Sequence, residues 1–384
     1  MRVLIIGGGI AGRTAALALR RRGVPAVVYT AAPEAKDGAS GIPEAGLWLP
    51  PNAMSVFEEL EVAGAVREAG VRLARAVVER PDGTELYAMG LSSEEQGAPS
   101  VALSRGTLRA LLAERLPGAV QHGGMACAGV SEKGDEVTAR FEGGTEVSGE
   151  VLLGADGAAS GVRRRLFPGA TLRSADQVRY AGVAERPANA PKRAPALREV
   201  WGNGLRFGHL PLGEGVYWFA TQRAADVPVS ARSSHAMKAA LARRYDDFPP
   251  PVPSLIEATP PQGVTRAELR DLAPLERWHR GRLALLGDAA HAATPNLGLG
   301  AAQALRDAYV LAVALEEHGT PEAAFSEYEE QRRESAHRVA RRARQAGQWA
   351  HARGAWARLR DEALRLAPAT LAERPLRQLF SERV

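Results

Sequence analysis

The sequence predicts an α/β protein in which a domain of parallel strands and helices is interleaved with a β-rich domain and followed by further helices. Three short apolar runs, at Val3–Ile6, Glu150–Gly157 and Gly281–His291, each lead into a turn and then a helix. Such runs are typical of strands that are buried on both faces of a parallel sheet. Residues 175–265 are rich in proline, aromatics and short alternating runs, which indicates β structure.

The totals describe a two-domain globular protein. A chain of 384 residues is longer than one hydrophobic core ordinarily serves. Hydrophobic residues make up 45% and charged residues 24%, and no apolar run approaches the roughly 18 residues that cross a bilayer. We therefore expect no stable membrane association. The single cysteine, Cys127, excludes an intrachain disulfide and favours a cytoplasmic location.

Basic residues slightly outnumber acidic ones, with Lys+Arg 49 against Asp+Glu 44 and a net charge of +5. Much of the arginine lies in Tyr328–Leu366, where it alternates with acidic residues at helical spacing. A packed, solvated helix explains this pattern better than nucleic-acid binding does. The same helix could form a dimer contact, so both a monomer and a homodimer stay open. No zinc-ligand spacing occurs, and we predict no metal site.

The first 30 residues predict a strand–turn–helix–strand unit. Val3–Ile6 and Ala26–Tyr29 have the composition of buried strands. Ile10–Arg22 is rich in alanine and leucine, and Gly23 is a helix stop. This arrangement is a βαβ unit.

The turn of this unit, GGGIAG, places Gly7, Gly9 and Gly12 in the G-x-G-x-x-G spacing. The first glycine permits the tight turn, the second lets the backbone approach a pyrophosphate, and the third lets helix and strand pack closely. The helix that opens at Ile10 and Ala11 offers unpaired N–H groups to an anion. The turn therefore predicts dinucleotide binding, with a plain structural turn as the alternative.

The other patterns divide the chain between two domains. Hairpins are predicted at 74–88 and 137–151, and almost everything from Ala301 to Leu366 has helical spacing. We predict a discontinuous α/β domain with a C-terminal helical region over 1–72, 98–175 and 266–384. The β-rich domain then takes 73–97 and 176–265.

Two further motifs follow buried strands. GADGAASGVR, residues 154–163, and GDAAH, which begins at Gly287, each put an aspartate just past a strand end. Ligands of open α/β sheets bind at that edge, and Asp288 would suit a ribitol or ribose hydroxyl. The segment PNLGLGA, Pro295–Ala301, ends in glycines that open a second helix able to bind an anion or a carbonyl.

Together these motifs resemble the flavin-dependent group A aromatic hydroxylases, the family that includes p-hydroxybenzoate and salicylate hydroxylases. The resemblance spans nearly the whole chain. Its carriers are GGGIAG, LSR (Leu103–Arg105), GADGAASGVR, WGNGLRFGHLPLGEGVYWFAT (Trp201–Thr221) and GDAAHAATPNLGLGA.

The resemblance implies a Rossmann-like, glutathione-reductase-type FAD domain interleaved with a β-sheet substrate domain. It implies an FAD-dependent monooxygenase that takes a hydride from NAD(P)H and uses O2, through a flavin C4a-hydroperoxide, to hydroxylate an aromatic or polycyclic small molecule. The Ala-, Arg-, Gly- and Pro-rich composition suggests a high-GC bacterium, where enzymes of the resembled family often act in secondary metabolism. A flavin epoxidase, a Baeyer–Villiger-type oxygenase and a redox-silent flavin-binding protein share the motifs and remain alternatives.

The resemblance also assigns cofactor contacts. It places the glycine turn at the FAD pyrophosphate and Asp288 at the ribitol, and it associates Asp156 and Arg163 with both FAD and NAD(P)H. Pro295 and the glycines after it would run beside the isoalloxazine ring, where Pro295 also counts as a catalytic-site residue. The full set is Gly7, Gly9, Ile10, Ala11, Gly12, Thr30, Arg105, Asp156, Arg163, Gly287, Asp288, Pro295, Gly298, Leu299, Gly300 and Ala301.

Three positions depart from the family pattern. Thr30 stands where a glutamate usually ends the second strand, and Leu299 replaces a common Gln or His. Thr30 can bond a ribose hydroxyl without a charge, which contributes about 1 kcal/mol less than a charge-assisted bond. We expect FAD to be bound more weakly than usual, unless Glu34 reaches back to the ribose. Arg13 either points to solvent or meets a phosphate.

The β-rich domain supplies the substrate candidates. Phenol hydroxylation is helped by a base, and His209 is the best candidate, with a structural histidine as the alternative. The remaining candidates are residues that could line an aromatic pocket or contact the substrate: Glu44, Trp48, Phe207, Tyr217 and Trp218.

Overall fold

The structure is a computed structural model, and it describes residues 1–32, 45–91, 99–186, 194–213, 215–227 and 233–367. The helices are α1 (Ile10–Arg21), α2 (Pro51–Glu59), α3 (Ala63–Ala69), α4 (Arg105–Glu114), α5 (Gly161–Leu166), α6 (Ser234–Arg244), α7 (Val252–Ala258), α8 (Asp288–His291), α9 (Gly300–Glu317), α10 (Pro321–Ala350) and α11 (Ala355–Leu366).

The strands form four sheets. They are β1 (Val3–Ile6), β2 (Ala26–Tyr29), β3 (Gly46–Leu49), β4 (Val71–Leu73), β5 (Arg75–Glu79), β6 (Glu85–Gly90), β7 (Ser100–Ser104), β8 (Gln121–His122), β9 (Cys127–Lys133), β10 (Glu136–Phe141), β11 (Glu146–Gly149), β12 (Val151–Gly154), β13 (Leu172–Glu185), β14 (Ala196–Trp201), β15 (Leu205–Leu212), β16 (Gly215–Arg223), β17 (Thr265–Leu272), β18 (His279–Arg280) and β19 (Leu283–Leu285).

The first sheet has six strands in the order β18-β19-β12-β1-β2-β8. All its pairings are parallel except that of the edge strand β18. All four residues of β1 and of β12 are buried, as their continuous apolar runs predict. The three apolar runs of the sequence therefore lie side by side, and the predicted α/β fold with its initial βαβ unit is confirmed.

A seven-stranded sheet has the order β17-β13-β16-β15-β14-β5-β6. The hairpin predicted at 74–88 forms β5 and β6, and β5 pairs in parallel with β14. At the other edge β17 pairs with β13, so Thr265–Leu272 lies in this sheet rather than in the α/β part where 266 was expected to begin. The apolar–polar alternation of this strand is typical of an antiparallel strand with one solvated face.

Two smaller antiparallel sheets complete the fold. One is β11-β10-β9, which contains the hairpin predicted at 137–151, and the other is β3-β7-β4. The C-terminal region is helical, but it is broken near Gly354, whose φ of +56° ends the run between α10 and α11. Thr320 caps α10 by accepting a hydrogen bond from the N–H of Ala323, and Pro321 occupies its first turn.

The seven-stranded sheet buries its two faces against different partners. One face packs with α6 and α7 in a cluster that includes Phe207, Trp218 and Tyr245. The other face contributes Leu210 and Tyr217 to a cluster that also contains Trp48 from the α/β part. This second face is the one that meets the α/β part of the chain. No helix in the described ranges combines the length and apolar character needed to cross a membrane.

Candidate functional site

A cavity of about 1580 Å³ lies between the six-stranded sheet and the seven-stranded sheet. Small-molecule sites typically enclose roughly 300–1,000 Å³, so this cavity has room for a dinucleotide and a second ligand. Its lining includes Gly9 and Asp288 at one end and Tyr217 and Phe219 on the sheet. Both halves of the predicted site therefore open into one continuous space.

The glycine turn lines the first half through Gly7, Gly9, Ile10 and Ala11. A Cβ on Gly9 would have no protein atom within 4 Å, so this position faces open cavity. Gly12 is outside the lining, and a Cβ there would lie 1.9 Å from the carbonyl oxygen of Gly7. Gly12 therefore serves the packing of helix on strand, as predicted from the spacing.

Thr30 and Arg105 also line this half. Thr30 follows β2, and its Oγ1 accepts a long hydrogen bond of 3.4 Å from the N–H of Ala32. Glu34, its possible substitute, lies outside the described residues. Arg13 neither points to solvent nor lines the cavity: its side chain is buried and donates to Gln121 Oε1 at 3.2 Å. Both interpretations of Arg13 are therefore wrong, and it packs α1 against the neighbouring strand.

Asp288 lines the cavity at the start of α8. Its neighbour Gly287, with φ +60°, lies behind the lining and donates its N–H to Asp307 Oδ2 at 2.9 Å. The same oxygen lies 2.5 Å from His291 Nε2, and Arg332 Nε donates to Asp307 Oδ1 at 3.0 Å. Burial raises the pKa of Asp307, but the charges of His291 and Arg332 outweigh it and lower the pKa to about 2. A carboxylate that is ionised at neutral pH thus fixes the turn that presents Asp288.

The segment Pro295–Ala301 lines the cavity through Pro295, Gly298, Gly300 and Ala301. Leu299 does not line it, because its side chain is buried in the cluster around Trp48 and Tyr217. A contact of the Leu299 side chain with a cofactor is therefore not supported. No side chain caps α9, so its first N–H groups can bind an acceptor in the cavity.

The motif GADGAASGVR, residues 154–163, has a structural role next to the cavity. Asp156 borders the cavity, but its Oδ2 accepts from the N–H of Gly161 at 2.7 Å and of Val162 at 3.1 Å, which caps α5. Arg163 is buried outside the lining and donates to the carbonyl oxygen of Ala289 at 3.0 Å. Its expected contact with a cofactor is thus replaced by a structural one, which holds α8 and hence Asp288.

The cavity face of the seven-stranded sheet can be described by rows of residues that pair across the strands. The first row is polar and contains Arg179, Thr221, Arg206 and Trp201. The next two rows contain the apolar residues of the lining, namely Phe219, Val78, Tyr87, Tyr217, Leu210, Leu197, Ala76 and Met89, with Glu199 between them. The sheet thus offers one polar border and an apolar floor.

Trp48 and Tyr217, which were predicted as candidate pocket residues, line the cavity. A Cβ on Gly298 would lie 3.4 Å from Cε3 of Trp48, and a Cβ on Gly46 would lie 2.5 Å from Cδ1 of Tyr217. Each aromatic ring therefore lies against a glycine, and a side chain at Gly46 would collide with the ring of Tyr217. Glu44 lies outside the described residues.

Three other candidates lie on the opposite face. Phe207 and Trp218 stack with ring centroids 5.5 Å apart in the core against α6 and α7. His209 is paired with Arg198 of β14 on one side and with Trp218 of β16 on the other, and it is absent from the lining. Burial and the charge of Arg198 lower its pKa to about 4, so it is neutral. His209 as the base that contacts the substrate, and Phe207 and Trp218 as pocket residues, are therefore corrected: strand alternation turns them away.

Sequence reasoning missed the polar row. Arg206 donates to Glu199 Oε2 at 2.8 Å and to Asn296 Oδ1 at 2.9 Å, and it is only 3% exposed. The signal was the alternation of β15, since residues two apart share a face. If Leu210 faces the cavity, Arg206 must face it and His209 cannot.

The lining fits FAD. The open space at Gly9 and the uncapped start of α1 suit a pyrophosphate, and the Asp288 carboxylate suits polyol hydroxyls. The uncapped start of α9 suits a polar ring edge. This donor set, with a separate apolar floor for a second ligand, defines a flavin-dependent class of enzyme.

The comparisons with known proteins agree. Residues 1–343 match the family model described as FAD binding domain, and the chain belongs to this family. It is 36% identical over 356 residues to aurachin C monooxygenase/isomerase of Stigmatella aurantiaca, covering 91% of this chain and 90% of that protein. It is 34% identical over 381 residues to a 3-amino-4-hydroxybenzoate 2-monooxygenase of Streptomyces platensis, covering 94% and 92%.

A solved structure shows the same fold in complex with FAD and uric acid. The structure of Klebsiella pneumoniae HpxO complexed with FAD and uric acid superposes with a TM-score of 0.87 and 28% identity, covering 99% of this chain and 96% of that one. The chain is an FAD-dependent monooxygenase, and the resemblance to the aromatic hydroxylases is confirmed.

Proposed function

We propose that this enzyme uses NAD(P)H and O2 to hydroxylate an aromatic or polycyclic small molecule bound on the cavity face of the seven-stranded sheet. The observation that carries the proposal is the single cavity: Asp288 and Gly9 border the same space as Tyr217 and Phe219. A flat apolar ligand on this sheet face would lie opposite Pro295–Ala301. The names of the relatives, which act on aromatic and heterocyclic compounds, support the same class of substrate.

Bound FAD supplies the redox chemistry: it accepts a hydride and activates O2. The protein's own residues bind, orient and exclude water. Phe219, Leu210 and Tyr217 provide apolar surface for a ring, and Trp48 faces them from the α/β part. The start of α9 offers N–H groups that can stabilise negative charge at the cofactor.

Tyr217 contributes a polar hydroxyl group to this otherwise apolar surface. Burial raises the pKa of its hydroxyl, and this exceeds the lowering by the charges of Arg179 and Arg105. The phenol is therefore protonated at neutral pH and can donate a hydrogen bond to a ring oxygen of the substrate. Tyr217 would therefore bind an oxygen of the substrate rather than act as the base that was expected of His209.

The test is substrate-stimulated NAD(P)H oxidation in air by the FAD-loaded protein, with product masses read for the addition of one oxygen. We expect one subset of an aromatic panel to raise the rate and to yield oxygenated product. Leu210→Phe, which fills the cavity, should lower the stimulation. Leu205→Phe is the matched control, because it lies on the same strand but on the other face. A panel that gives no stimulation and no oxygenated product would refute the proposal.

We also propose a cytoplasmic location, supported by the single cysteine of the chain, and a monomer or homodimer. Size-exclusion chromatography with light scattering decides between the two assemblies.

A further inference from the structure

We propose that Arg179 is an anion-binding residue of the substrate site, so that the substrate is an aromatic compound bearing a carboxylate or a ring oxyanion. This inference rests on the proposed function, since it names the substrate class of the same cavity. Aromatic carboxylates occur in the names of relatives, and the new element is the residue, because neither the sequence motifs nor those names assign recognition of an anion to Arg179.

The position of Arg179 places it at the border of the apolar floor. It lies on β13, opposite Thr221 of β16, in the polar row that also contains Arg206. All three residues line the cavity. The next row begins with the ring of Phe219. A ring on Phe219 could therefore extend a polar substituent toward Arg179.

Arg179 has no hydrogen-bond or ion-pair partner within the described ranges, and its Nε is completely buried. Leaving a cation half-buried without an acceptor is costly, whereas an anionic ligand would offset that cost. Arg206, in the same row, is a structural cation and differs from Arg179 in its hydrogen bonds. Arg206 is saturated by the Glu199 carboxylate and by Asn296.

The charge balance of the sheet face supports an anion. The negative charge of Glu199 is already neutralised by Arg206, and its Oε2 also accepts from the Trp201 indole at 2.7 Å. Arg179 therefore contributes a net positive charge next to an apolar surface. The pKa of Tyr217 reports the same field, because the Arg179 charge lowers it against the larger effect of burial.

The geometry of a guanidinium favours particular anions. Its fork of N–H groups matches the two oxygens of a carboxylate, or a carbonyl and an adjacent oxyanion on one ring. A ring lying on Phe219 and Leu210 would then be held at one edge by Arg179 and be free at the other. Arg179 would fix which ring carbon faces the cofactor.

The test compares two probes that differ only in charge, 1-hydroxy-2-naphthoate and its primary amide. Binding to the FAD-loaded enzyme is measured without NAD(P)H, from the flavin absorbance and the tryptophan fluorescence. We expect wild type to bind the acid at least ~10-fold more tightly than the amide, which corresponds to about 1.4 kcal/mol. Arg179→Gln should abolish the preference, and Arg179→Lys should keep part of it.

Arg266→Gln is the matched control, because this exposed arginine lies on the neighbouring strand outside the lining. It should keep the preference. If Arg179→Gln does not retain FAD, Arg179→Met, which keeps the length of the apolar stem, gives the decisive comparison.

Three results would overturn the proposal: equal affinities for acid and amide in wild type, a preference that survives in Arg179→Gln, or no binding of either probe at roughly 5 mM. None of these measurements involves turnover. An enzyme that prefers the acid but never oxygenates an aromatic compound would contradict the proposed function alone. An enzyme that oxygenates neutral aromatics regardless of Arg179 would contradict the anion site alone.

Discussion

Arg206 and Asn296 join the seven-stranded sheet to the segment that begins at Pro295. Arg206 Nη1 donates to Asn296 Oδ1 and Nη2 donates to its carbonyl oxygen, both at 2.9 Å. Asn296 in turn donates to Gln177 Oε1 at 3.2 Å. The segment that borders the cavity is thus held by a side chain of the substrate sheet, and the geometry of the two halves is coupled.

Removing this arginine should destabilise the protein strongly. Arg206→Met leaves the Glu199 carboxylate, about one-eighth exposed at 12%, without its cation, and we expect a loss of about 3–5 kcal/mol in the free energy of unfolding. Adding Glu199→Leu removes the uncompensated charge and should restore more than half of the loss. Urea unfolding of the single and double variants measures both values. A double variant no more stable than the single one would show that the ion pair is not the cause.

The glycine turn allows cofactor binding and folding to be separated. Gly9→Ala adds a methyl group to open cavity, so the fold should persist while FAD affinity falls about 10-fold or more. Gly12→Ala forces a contact with the Gly7 carbonyl oxygen, so the apoprotein itself should lose stability. Flavin titration and thermal unfolding of both apoproteins are the measurements. Equal stability of the two apoproteins would contradict this division of roles.

A substitution of Thr30 tests whether this residue weakens the binding of the adenosine ribose of FAD. Thr30→Glu should lower the Kd for FAD by about 5-fold, because a carboxylate forms a charge-assisted bond with a ribose hydroxyl at a gain of about 1 kcal/mol. Thr30→Val is the control, since it keeps the shape but removes the hydroxyl. An unchanged Kd in Thr30→Glu would show that Thr30 is not a weak point, and FAD that survives dialysis of the wild type stoichiometrically would refute weak binding altogether.

Stability should fall in mild acid because of two partly buried histidines, His209 and His337. The pKa of His209 is lowered to about 4 by burial and then by Arg198, and that of His337 is also lowered to about 4. The folded protein favours the neutral form of both imidazoles. Above the pKa of about 6.5 that a histidine has in the unfolded chain, they are neutral in both states and the free energy of unfolding is at its full value. As the pH falls from about 6.5 toward 4, the unfolded chain binds protons more readily than the folded protein, and the free energy of unfolding decreases. His209 alone should account for a loss on the order of 3 kcal/mol over this range.

The pH effect is checked by urea unfolding of His209→Asn between pH 7 and 5. The variant should show a shallower loss of stability than wild type. It should also keep substrate-stimulated turnover, because His209 does not line the cavity. The exposed His235 gives the control substitution His235→Asn, which should retain the wild-type slope. An identical slope in His209→Asn would contradict the assignment.

The sequence predicted the cofactor half of the site better than the substrate half. Gly7, Gly9 and Gly12 act through backbone geometry, which a local spacing encodes, and Asp288 follows a strand end whose position in a parallel sheet is also local information. Residues of the substrate half depend on which face of a strand meets the cavity. That choice is set by pairing between strands far apart in the chain, such as β13 with β16.

Two errors show the limit. His209 was favoured because it lies in the right strand, but one position of register separates it from the cavity-lining Leu210. Arg163 was assigned to the cofactor from its motif, yet the turn of α5 directs its side chain at the carbonyl oxygen of Ala289. In both cases the element was predicted and the direction of the side chain was not.

The alternation of β15 and β16 has a practical consequence for altering this enzyme. On β15 positions 206 and 210 line the cavity, and on β16 positions 217, 219 and 221 do so. A mutant library restricted to positions 210, 217 and 219, which keeps the structural Arg206, would sample new selectivity while sparing the residues that pack against α6 and α7. In a library over consecutive codons, about half of the positions would lie on the face that packs against α6 and α7, where most substitutions destabilise the fold.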